Sequence, residues 1–505
     1  MDQPRLTHLL NNRTALDPLE IKSIRHEVQV RTQAIERLQL ELQKLESERA
    51  AWQSLLSPLR RNSIPPEVLG EIFGYVVLAT ESTKPRRSQV NVLCRVCKAW
   101  RDVALGIPSL WAQLDDIVVQ NHLDVAKVRS WLSRARNAAK MLGIVGHHRY
   151  PKVPNPVCPF ASSAVQEFLS SGPGLNSLSL KCKSLHCFSE LLNPTPSHGG
   201  APISRSFDSL RSISLGFAQW PTSPDAWQLL DHLPLVTSLS LDLPEPDNEE
   251  DRDNPESPLP HSIFTANLTK LRIRSTWPIE WLLEILDVCT NLEGLVLEYG
   301  LGYYVDEDMQ TPLENEVFLP KLRSLELREM SVYQQTTTRV LRYLVVPSLK
   351  ALEIVYDGDQ EPLDELSLPK RKEFCEDMLS LVVSDLQYFR LENLPIAPAS
   401  LYDILSAFPS LRHLVLDGVE SDSGLFRNRD FEDEPPLFSE LEVLEMLNVP
   451  PSFDPNDVCS LFNERNRVLK QLRMTIVVDP SPGKEWHAKR LSERGTDISI
   501  SYIPR

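Results

Sequence analysis

The spacing of apolar residues changes character twice along the chain. From Ile21 to Leu56 it keeps a period of seven, with one series at Ile21, Val28, Ile35, Leu42, Arg49 and Leu56 and another at Ile24, Arg31, Leu38, Leu45 and Trp52. Glu, Gln, Arg and Lys between them favour a solvated helix, so the segment reads as one long amphipathic helix or coiled coil. Asp17 before Pro18 supplies the cap and Pro58 the stop. Arg31 and Arg49 interrupt the seam, although their stems can carry the charge outward. Two readings stand: self-association or a partner helix, and a helix lying on its own chain. From Ile64 to Trp111 the spacing becomes that of short globular helices. Val68, Leu69, Ile72 and Phe73 form one group, and Leu93, Val96, Cys97, Trp100, Val103 and Ala104 form a second. Pro65 and Pro66 suit a helix start, where a missing N–H costs nothing.

Beyond Leu175 a third pattern takes over: leucine, two residues, leucine, one residue, leucine. It begins at Leu175, Leu210, Val236, Leu268, Leu292, Leu322, Leu349, Leu386, Leu411, Leu441 and Leu469. The ten intervals average 29.4 residues. This resembles the strand signature of leucine-rich repeats, in which the alternating part is a short strand and the remainder returns the chain to the next parallel strand. Ala226–Leu233, Trp281–Cys289, Leu401–Phe408 and Val458–Phe462 carry helical faces and read as such returns. Others pass through proline, at Pro194–Pro196 and Pro255–Pro260. The Asn or Cys usual three residues past the last strand leucine is missing; Met330, Leu394, Val419 and Val449 stand there, so the repeats are irregular and lack an asparagine ladder at that site. Residues 115–160 read as atypical first repeats that cap the array: strands at Ile117–Val119 and Met141–Val145 with a helix at Leu123–Ala139 between them.

The segment from Ile64 to Trp111 resembles an F-box. What carries the resemblance is an order of residues: the proline pair, Glu67, Ile72-Phe73, the Arg95-Val96-Cys97 run, Trp100 and the closing Leu110-Trp111. Together with the repeats it resembles fungal-type F-box proteins with leucine-rich repeats. The resemblance implies docking on the Skp adaptor, and through it on a cullin, by Ile64, Pro65, Pro66, Val68, Leu69, Ile72, Phe73, Leu93, Val96, Trp100, Leu110 and Trp111. The expected fold is α/β: a long N-terminal helix and a helical module, then an irregular solenoid with a curved parallel sheet. The expected divisions are a flexible N-terminus (1–18), the long helix (19–57), the F-box-like domain (58–114), a capping region (115–160) and the solenoid (161–505).

Composition narrows the function. A net charge of −16 argues against a surface that tracks phosphates, so nucleic acid is not an expected partner. No apolar run is long enough to span a membrane. Eight scattered cysteines without a secretory leader read as reduced thiols in a cytoplasmic or nuclear protein. Enzyme signatures are missing: there is no phosphate-binding glycine loop, and Cys94-x-x-Cys97 and His147-His148 with Cys158 each lack the further ligands of a zinc site. Lys84–Arg87 reads as an exposed loop or an import signal, and Glu245–Glu256 as a solvated acidic loop or a face for a basic substrate. No cofactor or metal is expected. The expected activity is that of a non-catalytic receptor, the repeats holding an unidentified protein substrate; a repeat scaffold acting outside any ligase is the alternative. Substrate contact is expected at strand-flanking charges, chiefly Arg272, Arg274, Arg323, Glu326, Lys350, Arg412 and His413, with Glu293, Glu353, Glu442 and Glu445 beside them.

Overall fold

The structure is a computed structural model that describes residues 17–56, 64–78, 86–119, 123–146, 160, 163–188, 209–221, 224–245, 257–264, 267–299, 316–330, 336–356, 376–381, 385–394, 396, 398–419, 423–426, 438–450, 453, 458, 462, 469–477 and 495–503. Outside them lie His147-His148, Cys158, Pro194–Pro196, Lys84 and all of the acidic stretch except Glu245. The chain divides into two compact units, one ending at Leu110 and the other starting at Trp111, with Arg86 and Arg87 grouped with the second.

The first unit is helical. Helix α1, Pro18–Leu56, opens with Asp17 at the cap: its carbonyl accepts from Ile21 N (3.0 Å), and Glu20 reaches back to accept from Asp17 N (3.3 Å), half of a capping box. Three shorter helices follow, α2 (Pro66–Leu78), α3 (Arg86–Val96) and α4 (Lys98–Gly106). Pro66 takes the first helical position of α2, and the Pro65 carbonyl accepts from Leu69 N at 3.0 Å. The second apolar group of the sequence is not one helix. Cys97 has extended backbone (φ −159°) and caps α4, its Sγ accepting from Trp100 N at 3.4 Å, while Arg101 Nε donates to the Cys94 carbonyl at 3.0 Å and satisfies the end of α3. Cys94 and Cys97 therefore mark a helix junction.

The second unit is built on a parallel sheet of fourteen strands whose order follows the chain. Strands β1 (Gln113–Val119) and β2 (Met141–Gly146) flank helix α5 (Val125–Ser133) and lead the array. Each of the eleven leucine motifs then yields one strand. These are β3 (Ser177–Cys182), β4 (Ser212–Phe217), β5 (Ser238–Asp242), β6 (Lys270–Ser275) and β7 (Gly294–Tyr299), then, past a short pairing strand β8 (Val317–Phe318), β9 (Ser324–Met330). Past a second short strand β10 (Leu344–Val345), paired with β8, come β11 (Ala351–Tyr356), β12 (Tyr388–Glu392), β13 (His413–Asp417), β14 (Val443–Val449) and β15 (Gln471–Val477). A final strand, β16 (Asp497–Ile503), pairs with β15 and has no leucine motif of its own. The returns at Ile279–Asp287 and Pro398–Ser406 are α-helices, but Pro224–His232 is a 3₁₀ helix where the spacing suggested α.

Period two drives this layer. The motif's middle position aligns across strands as Leu178, Ile213, Leu239, Leu271, Leu295, Leu325, Leu352, Phe389, Leu414, Leu444 and Leu472, all buried. Two backbone devices replace the missing asparagine ladder. On the side where strands begin, one carbonyl in each repeat accepts two N–H groups of the next: Arg323 O takes Lys350 N and Ala351 N, both at 2.9 Å, and Lys350 O takes Gln387 N and Tyr388 N, both at 2.9 Å. On the side where strands end, the residue two past the last apolar strand position turns left-handed: Glu329 (φ 52°), Asn393 (54°), Gly418 (59°) and Asn448 (53°). That turn aims the next residue into the core, which is why Leu394, Val419 and Val449 are buried there.

Candidate functional site

Helix α2 is apolar on two sides. Leu69, Phe73 and Val77 are spaced by four and buried, and Phe73 packs against Trp100 of α4 with ring centroids 5.0 Å apart. Gly70 leaves room for Ile107, the residue that closes α4, since a Cβ there would meet Ile107 Cδ1 at 3.0 Å. A second stripe, rotated by about a quarter turn on the helix, holds Val68, Ile72, Tyr75 and Val76, which are 42% to 77% exposed. Helix α3 repeats the division: Val90 and Leu93 are buried, Val92 and Val96 exposed. Leu105 on α4 is also exposed.

The residues expected at an adaptor contact thus separate into two groups. Pro65, Pro66, Val68, Ile72 and Val96 are open to solvent, and Ile64 and Trp100 are half-buried. Leu69, Phe73, Leu93 and Leu110 are interior. So is Trp111, whose ring lies 4.5 Å from that of Trp131 and 4.4 Å from the Arg134 guanidinium, both in the second unit. Tyr75, Val76 and Val92 were missed because sequence spacing records that a residue is apolar, not which side of a short helix its neighbours cover. Two apolar stripes on α2 were the available signal: a helix apolar nearly all round has more than its own core to cover.

Residues 62–116 match the family model described as F-box-like. The chain carries an F-box-like domain. Its matched span contains both stripes of α2 and all of α3 and α4. No curated protein matches the chain in sequence. Among solved structures, that titled a complex of Rad7 and Elc1 in yeast aligns at 16% identity over 80% of this chain and 96% of its own, with a TM-score of 0.33. A Bacteroides fragilis protein aligns at 9% identity over 66% of each chain, with a TM-score of 0.26.

The open face of the sheet is the other candidate surface, and it changes composition along its length. From β2 to β5 it presents Gly143, Ser177, Ser179, Ser212, Ser214, Ser238 and Ser240, with no charge in those two rows. From β6 on it is charged and cross-linked. Arg272 reaches Glu298 at 2.7 Å, Arg274 reaches Glu329 at 3.1 Å, and Glu326 pairs with Arg328. Arg390 holds Glu392 at 2.6 Å and Asp417 at 3.4 Å, and Glu445 takes His413 at 3.0 Å and Arg473 at 3.5 Å. The Tyr388 ring stands edge-on to His413 at 4.9 Å. Burial, and then the neighbouring Glu326, push the Glu353 carboxyl above its ordinary range against the pull of Arg390, Arg328 and the Tyr388 hydroxyl.

The charges expected to share this face occupy two different rows. Arg272, Arg274, Glu326, Glu353, His413 and Glu445 lie within strands. Glu293, Arg323, Lys350, Arg412 and Glu442 each precede a strand by one residue and supply the carbonyl ladder at the sheet's edge. Arg390 and Tyr388, both central to the network, were passed over because their motif breaks the leucine pattern with Phe389. Among the described residues no three His, Cys, Asp or Glu side chains gather as a metal site requires, and no helix is long and apolar enough to cross a membrane.

Proposed function

We propose that this chain is a non-catalytic substrate receptor of a Skp–cullin–F-box ubiquitin ligase. The observation that carries the reading is the outward apolar stripe of α2 and α3 inside the F-box-like domain. Val68, Ile72, Tyr75, Val76, Val92 and Val96 would dock on a Skp-type adaptor, with Ile64, Pro65 and Pro66 at the rim. Leu69, Phe73, Leu93 and Trp100 would keep that surface rigid. Exposed aliphatic and aromatic side chains on the helices of one domain are what a well-packed interface core needs. The adaptor would connect the chain to a cullin. The sheet would hold the substrate, and the receptor would supply proximity, placing substrate lysines near a thioester carried elsewhere in the complex. Cytoplasm and nucleus are the compartments that suit this role.

The open face of the sheet supports a reading of the substrate class. Strand charges of both signs are already paired with one another, which suits a protein segment of mixed charge that exchanges some of these pairs and disfavours a one-signed polymer. Arg272, Arg274, Glu326 and His413 would make these contacts within the strands, and Arg323, Lys350 and Arg412 at the entering edge. The test is co-expression of the full chain with a Skp-type adaptor and a cullin. One complex of all three should elute together and should be lost on changing Val68 and Ile72 to glutamate. If the wild-type chain elutes alone, the ligase reading is wrong and a repeat scaffold acting outside a ligase takes its place.

A further inference from the structure

We propose that helix α1 pairs with α1 of a second copy of this chain as a parallel, in-register coiled coil. This goes beyond the receptor reading and does not depend on it. The helix runs thirty-nine residues, and none of its described side chains is buried. Ile21, Val28, Ile35, Leu42, Leu38, Leu45 and Trp52 are between 37% and 68% exposed, and all of them lie on the two seven-residue series. A seam of that length, open to water along most of its residues, is half of an interface.

The seam's chemistry specifies the occupant. β-Branched Ile21, Val28 and Ile35 in the first series with Leu38 and Leu45 in the second is the combination that selects two parallel strands. One flank pairing is complementary, and one seam arginine gains a partner. A parallel, in-register pair sets Glu20 of one copy against Arg25 of the other, and it brings Arg49, in the first series, beside Glu48 of the other copy. Arg31, the other polar seam residue, is already held by Glu27 of its own helix at 3.1 Å. An antiparallel pair along the same seam would instead place Arg31 opposite Leu42 and Arg49 opposite Ile24 and so spoil four apolar layers. The in-register parallel pair confines the arginines to two layers, Arg31 against Arg31 and Arg49 against Arg49, a like-charge cost that their outward-reaching stems reduce. The parallel arrangement keeps one like-charged flank, Glu41 against Glu46, which is exposed, screened by salt and weak. A dimer would carry two repeat sheets, so a substrate with two recognition segments would be held by avidity.

Sedimentation equilibrium of the full chain at low micromolar concentration should give twice the chain mass. Changing Leu38 and Leu45 together to glutamate should give a monomer, while Leu40→Glu, off the seam, should remain a dimer. Arg49→Leu should tighten the dimer by about tenfold or more, which a merely unfolded helix cannot mimic. On a Cys97→Ser background, Ile21→Cys should oxidise to a covalent dimer joined at position 21 by peptide mapping. A monomeric wild type overturns the proposal, as does a wild type that assembles only with another protein. A dimer insensitive to the seam changes, or one that forms no position-21 disulfide, overturns it equally. Adaptor co-purification by the Leu38/Leu45 variant reads the receptor function separately, and it should be unchanged.

Discussion

Gly418 turns the chain at φ 59°, and a Cβ there would stand 2.7 Å from Asn393 Oδ1. Both facts penalise a side chain, so Gly418→Ala should lower stability by about 1–3 kcal/mol in denaturant unfolding. Asn448→Gly relieves the same left-handed backbone and forfeits only the bond from Nδ2 to Asp417 Oδ1 at 2.7 Å, so it should cost less than Gly418→Ala. A larger loss for Asn448→Gly would mean that the side-chain bond, not the backbone turn, holds the corner. Glu353 adds a pH dependence. Its folded pKa is raised, first by burial and then by Glu326, so the native state holds this proton more tightly than the unfolded chain does. The contribution is favourable at low pH and is lost as pH rises through the raised pKa. Glu353→Gln should therefore melt higher than wild type near pH 7 and converge with it near pH 4, about the ordinary carboxylate range. An advantage of equal size at both pH values would show that ionisation is not the cause. None of this could be read from sequence. The motif's customary asparagine stands three residues past the last strand leucine, and here the left-handed residue stands two past it.

At the scale of elements, the strands were legible because burying one face of a sheet imposes period two on every repeat. Leu295, Leu325, Leu352, Leu414 and Leu444 stack in one buried row. Leu325→Ala should cost about 2–5 kcal/mol. Val296→Ala, on the half-buried open face, should cost under about 1.5 kcal/mol. Equal losses at the two sites, measured by denaturant unfolding, would contradict the inward and outward assignment. Strand β16 escaped notice because its Asp497–Ile503 sequence alternates serine with isoleucine and tyrosine and has no leading leucine motif. The break at Cys97 escaped notice because the apolar spacing continues straight across it from Leu93 to Ala104, while the cap is made by a thiol, a weaker acceptor than the usual Ser, Thr, Asp or Asn. The 3₁₀ return at Pro224–His232 keeps an i, i+3 apolar pattern that both helix types satisfy.

At the scale of the molecule, surface chemistry is divided between helices that expose apolar side chains and a sheet that exposes paired charge. The presence of the helical module and of the repeats was legible, since each is a long-range pattern of residue types. Which module residues face water was not, because that depends on which neighbours cover each side of α2. The most direct test is a calorimetric titration of a purified Skp-type adaptor into the full chain, beside thermal unfolding of each variant. Ile72→Glu is predicted to weaken binding by about a hundredfold or more, about 2.7 kcal/mol, with the melting temperature unchanged, because Ile72 is exposed in the free chain. Phe73→Ala, one residue on and buried against Trp100, should lower both binding and melting temperature. Full affinity retained by Ile72→Glu would contradict the assignment of the outward stripe as the adaptor-docking surface.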